Sequence, residues 1–184
     1  MALEVTFRGL SIGLHQIHDA LNELQVTLGD KPHDDESALA DGLETTVLDM
    51  MGTLHEARRA GLNARRALGH PPDLDRARRA LTLCQKCFHR IEKEFASGLV
   101  SYEKLKELAR LGNERRAWLP WANTAKKGIE QCRQPLEQTS KALAACWQEL
   151  VEHSGTTSIS VTSTGQRIVA KPAEVSGLGY EGIT

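Results

Sequence analysis

The segment Cys84-Gln85-Lys86-Cys87-Phe88-His89 sets two cysteines three apart with a histidine close behind, the raw material of a zinc site, a redox pair or a haem attachment. Its setting decides among them. Cys84 falls in phase with the apolar series Leu74, Ala77, Leu81, Cys84, Phe88, Ile91 and Phe95, and Cys87 lies about 60° away on a helix. Both thiols then point to or beside a core, where a reduced cysteine acts as a small hydrophobe. A redox pair needs a thiolate activated at a helix N-terminus, and this pair lies mid-helix. His89 projects about 140° and 160° round from the two cysteines, so it shares no metal with them, and the haem spacing C-x-x-C-H is missed by one residue. Cys132 and Cys146 lie about 21 Å apart along one continuous helix, too far to join a single tetrahedral zinc. A three-ligand arrangement using one of them is the remaining cysteine metal geometry; packing is the expected role.

The histidines offer less. His15 and His18 sit one turn apart and have the spacing to grip a metal, but no histidine has Glu three residues before it, as a di-iron bundle requires. The segment around His55, LHEARRAG, resembles the histidine phosphotransfer pattern in placing Arg58 and Arg59 close by. It departs from that pattern where Arg59 stands in place of the glycine wanted after the basic residue. No phosphate-cradling glycine loop, nucleophile elbow or acid–base pair is legible. The expectation is a non-enzyme with no metal, no cofactor and no small-molecule substrate.

Charge is the next signal. The net charge is -1, which gives no bulk attraction to nucleic acid or membrane. Its distribution is uneven: up to His55 about ten acids face only Arg8 and Lys31, whereas from Glu56 to Lys93 about ten Lys/Arg face four acids. Arg58-Arg59 and Arg65-Arg66 repeat at seven residues on one helical stripe, and Arg76, Arg78 and Arg79 follow the next turn. This basic patch suits phosphates, although no aromatics interleave to stack on bases. It equally suits the acidic stretch Asp30 to Glu44, in the same molecule or in a neighbour. Trp118 and Trp121 bracket Leu119-Pro120 and fit either an interface anchor or a staple to the core.

The elements that must position these groups are helices. The series Leu3, Phe7, Leu10, Leu14, Ile17, Leu21, Leu24 and Leu28 alternates steps of four and three over nearly four heptads. A second series, from Leu39 through Val47, Leu54 and Gly61 to Leu68, stops at Gly69 and Pro71-Pro72. Asp73 caps the third helix, Gly98 is its weak point, and the fourth starts near Pro120, with Pro135 as a kink. Its seam carries Trp121, Ala125, Ile129, Cys132, Leu136, Leu143, Cys146 or Trp147, and Leu150. Short turns between long helices imply an all-α, antiparallel four-helix bundle over residues 1–154. Residues 155–184 lack helical period and form an extended or β-hairpin-like C-terminal tail, with strand patterns at Ile159/Val161 and Ile168/Val169.

The N-terminus lacks a signal-peptide pattern, no apolar run reaches the ~20 residues of a membrane span, and the four cysteines read as reduced thiols, so the expected location is cytoplasmic. The function expected from these features is a non-enzymatic assembly or adaptor protein. It would dock on a protein partner or on itself by adding strand to an open sheet edge through Ile159, Val161, Ile168 and Val169. The alternative is a nucleic-acid-binding bundle using Arg58, Arg59, Arg65, Arg66, Arg76, Arg78 and Arg79.

Overall fold

The structure, a computed structural model, describes residues 2–31, 38–69, 71–111, 118–154, 159–161 and 167–169; side chains are described within the helices except at 2–3, 39, 108–111 and 154. Four helices account for nearly all of it: α1 (Ala2–Gly29), α2 (Ala38–Ala67), α3 (Leu74–Leu111) and α4 (Trp118–Ser154). Two three-residue strands, β1 (Ile159–Val161) and β2 (Arg167–Val169), pair antiparallel. No described helix is long and apolar enough to cross a membrane.

The apolar series become the core. Phe7, Leu10, Leu14, Ile17, Leu21, Leu24 and Leu28 of α1 are all buried, as are Leu43, Val47, Met50, Leu54, Ala57 and Ala64 of α2. The seams of α3 and α4 join them, through Ala77, Leu81, Cys84, Phe88 and Ile91 on one side and Trp121, Ala125, Ile129, Cys132, Leu136 and Leu150 on the other. Val5 and Thr6, whose branched side chains suit a strand, lie within α1 because the four-three phase running through them buries a whole helical face.

Each helix packs on two neighbours in a bundle-like ring, with α1/α4 and α2/α3 the most extensive pairs and α3/α4 the least. Cross-helix contacts give the directions. Gly13 meets Thr139 and Gly128 meets Leu24, so α1 and α4 run antiparallel. Glu4 pairs with Arg65 and His15 with Arg58 between α1 and α2, and Gly98 abuts Leu43 and Thr46 between α3 and α2. Tyr102 in α3 donates its hydroxyl to the Ala122 carbonyl of α4 at 3.0 Å.

The α2–α3 turn follows its sequence signals. Asp73 accepts the Arg76 backbone N–H at 2.8 Å and its carbonyl takes the first helical bond from Ala77, so it is the N-cap of α3. One expectation changes. Gly98 does not interrupt α3: a Cβ there would lie 3.4 Å from Leu43 Cδ1, so the small residue serves close packing on α2. As expected, α4 begins near Pro120: its first residue is Trp118, and a proline in the first turn forfeits no helical hydrogen bond.

Two glycines mark a close approach between α1 and α4. A Cβ added at Gly13 would stand 2.4 Å from Thr139 Oγ1 and 3.4 Å from Thr139 Cα, and one at Gly128 would stand 2.9 Å from Leu24 Cδ1. Gly9, one turn earlier in α1, has nothing within 4 Å. Replacing Gly9 by Ala should therefore raise stability by about 0.5–1 kcal/mol, through helix propensity alone. Gly13→Ala should lower it by about 1–3 kcal/mol despite the same propensity gain, because the helices must part. Thermal denaturation of the two variants measures the difference; equal midpoints would remove the close-approach constraint.

Candidate functional site

The cysteines lie where the seams place them. Cys84, Cys132 and Cys146 are fully buried and Cys87 nearly so, all four free. Burial pushes the thiols of Cys84, Cys132 and Cys146 up to about 12, and burial first, then Glu56, also raises Cys87. These are the reverse of a nucleophile's requirements. His89 is exposed and sits 3.9 Å from Glu92 on the outer face of α3. α4 runs unbroken from Trp118 to Ser154, so Cys132 and Cys146 remain far apart, and among the described residues no cysteine joins a cluster of three metal-ligating atoms.

The arginines gather towards the end of the bundle that carries the α2–α3 turn, but they are unequal. Arg65 Nη2 reaches Glu4 at 3.2 Å, Arg78 lies 3.8 Å from Asp75, and Arg58 Nη2 lies 3.4 Å from His15 Nδ1. Arg59, Arg66, Arg76 and Arg79 are exposed, and none forms an ion pair with another described residue. Among the described residues of the acidic stretch, Asp30, Asp41 and Glu44, none pairs with an arginine of the patch. Asp41 and Glu44 instead close on Lys31 and hold its ammonium above the usual lysine range. Glu44 and Arg65 are separated by about 31 Å of helix, which side chains do not span.

The tryptophans are resolved in favour of the core. Trp118, Trp121 and Trp147 are at most 7 % exposed, and Trp118 and Trp121 meet edge to face with ring centroids 5.3 Å apart. Trp121 Nε1 donates to the Thr27 carbonyl at 3.1 Å, stapling the start of α4 to the end of α1.

The expected docking segment falls largely outside the described residues. Its backbone is described only at β1 and β2, where Ile159 pairs with Val169, Ser160 with Ile168 and Val161 with Arg167.

Two features escaped the sequence reading. A surface cavity of about 400 Å³ opens between α3 and α4, with Phe95 and Leu136 among its lining and Glu92, Arg133, Glu137, Ser140 and Lys141 around them. Both apolar residues belong to the seams, and only the sparse α3/α4 contact leaves a space beside them. The second is the carboxylate that completes the histidine pair: His15, His18 and Asp19 bring three ligand atoms within 4.8 Å of one another. The spacing i, i+3, i+4 was its signal.

No known protein family, curated protein or solved structure matches the chain.

The thiols supply a two-part expectation. At pH 8 the folded protein should react with an aromatic disulfide reagent slowly and substoichiometrically, whereas denaturant should release four equivalents at once, one for each free cysteine. Because the folded thiols ionise later than unfolded ones, their contribution is intact below pH 9 and is lost as pH rises from 9 towards 12. Chemical denaturation across that range should show a shallower alkaline loss of stability in Cys146→Ala than in the parent. Rapid labelling of the folded protein at pH 8 would contradict the assignment.

Proposed function

We propose that this chain is a non-enzymatic assembly or adaptor module, a helical bundle that docks a protein partner through its C-terminal segment. The observation that carries the reading is β1 and β2, a two-stranded pair that follows the last helix and joins no larger sheet among the described residues. A lone hairpin is marginal in water and offers two unpaired edges, on which a partner strand adds main-chain hydrogen bonds. Burial of all four thiols supports a scaffold in place of thiol chemistry. The test compares the full chain with residues 1–154, each purified untagged from the native cell. Loss of co-purifying protein with an unchanged melting temperature is the expected result. Equal partner recovery from both forms, or a full chain that purifies alone and stays monomeric, would overturn the reading.

A second reading, nucleic-acid binding, is favoured by one specific observation: Arg59, Arg66, Arg76 and Arg79 are exposed and not engaged in ion pairs with described residues. Four phosphate contacts correspond to a log–log salt slope of about -3.6 on duplex DNA. Arg66→Ala with Arg79→Ala should reduce that slope by about 2, whereas Arg65→Ala should change it less, since Glu4 already holds that guanidinium. Absence of binding at low salt to both RNA and duplex DNA would eliminate this reading.

A further inference from the structure

On the outer side of α1, three side chains of this one helix converge. Asp19 lies one turn after His15 and next to His18, and its two oxygens are divided between them. Oδ2 stands 3.7 Å from His15 Nε2, and Oδ1 stands 3.4 Å from His18 Nδ1. The two rings are stacked, 6.2 Å between centroids and 6° from parallel, and each presents a nitrogen to the same carboxylate. All three ligand atoms lie within 4.8 Å of one another, against about 3.4 Å across the edge of a tetrahedral zinc site with ~2.1 Å bonds. A contraction of an ångström or so closes the set, and the exposed side chains have room to make it.

We propose that His15, His18 and Asp19 form a surface site for a divalent transition-metal ion, with Arg58 of α2 acting as its restraint. Two imidazole nitrogens and one carboxylate oxygen suit zinc, nickel or copper(II), whereas magnesium and calcium select oxygen donors. Three ligands from one exposed helix leave the remaining positions to water. Arg58 enters through the other nitrogen of His15. Arginine has donors and no acceptor, so its approach to Nδ1 at 3.4 Å uses that nitrogen's lone pair and places the proton of the neutral ring on Nε2, facing Asp19. A metal on Nε2 needs that lone pair, so the proton moves to Nδ1 and confronts the guanidinium. Arg58 must swing away, and the α1–α2 contact it makes is released. The metal and the arginine therefore compete for one tautomer of His15.

Titration calorimetry of the full chain with zinc ion alone tests both parts. One ion per chain is expected, with binding weakened at least tenfold by His18→Ala and by Asp19→Asn. Arg58→Gln should tighten it several-fold and Arg58→Lys less, since the lysine keeps the positive charge and loses the guanidinium fork. Circular dichroism of each variant confirms an intact helical fold, since all the substituted groups are on the surface. No binding at millimolar zinc, or equal affinity and stoichiometry in His18→Ala, would overturn the site. Unchanged or weaker binding in Arg58→Gln would overturn the restraint.

Discussion

Of the described glycines, the two that leave no room for a Cβ bring α1 against α4: Gly13 on one helix and Gly128 on the other. The two glycines lie at different heights along the pair, one against Thr139 and the other against Leu24, so they fix both register and direction. Thr139 is wholly buried, and its Oγ1 has no hydrogen-bond partner among the described residues. A hydroxyl in that position costs about 1–3 kcal/mol of desolvation, and the chain tolerates it where the helices are pressed together. With that pair locked, Trp121 falls beneath the end of α1 and reaches the Thr27 carbonyl. The α2–α3 hairpin then closes the ring, its own turn held by the Asp73 cap.

This packing sorts the chemistry of the chain by depth. Every cysteine goes inward and loses acidity, so the residues with the highest intrinsic reactivity are the least available. The described histidines and the arginines of the basic patch stay at or near the surface, where charge is hydrated and side chains move freely. Glu92 is intermediate. Its carboxyl, at the edge of the α3/α4 cavity, is raised by burial and pulled back in part by His89. The weakest interface of the ring is thus also the one that leaves a carboxylate half withdrawn from water.

Much of this was legible because a helical seam is a one-dimensional pattern. The series Phe7 to Leu28 and Leu74 to Ile91 specify helix, phase and buried face without reference to any partner, and the Asp73 cap is equally local. Gly98 misled for the opposite reason. A glycine inside a helix reads as a break, and only the presence of Leu43 and Thr46 opposite it shows that it serves packing. Pairings between distant residues had no sequence signal at all. Arg65 with Glu4, 61 residues apart, and Arg58 with His15, 43 apart, depend on the antiparallel register of α1 and α2. Opposite charge alone suggested that the acidic stretch meets the arginines, yet helix length keeps Asp41 and Glu44 at the other end of α2 from Arg65 and Arg66.

The same register also sets exposed, weakly held polar pairs across the α1–α2 face. The bundle's cohesion lies in buried aliphatic seams, which respond to volume and shape and cannot be traded for a ligand without unfolding. On the α1–α2 face, by contrast, the described cross-helix polar contacts Arg58–His15 and Arg65–Glu4 are exposed. Such pairs are typically worth about 0–1 kcal/mol. Breaking them leaves no buried unpaired charge, so an ion or an acidic group that offers a better geometry takes these side chains at little cost to the fold. The arrangement separates the two tasks physically: aliphatic packing holds the helices in register, and that register sets weakly committed polar groups side by side at the surface.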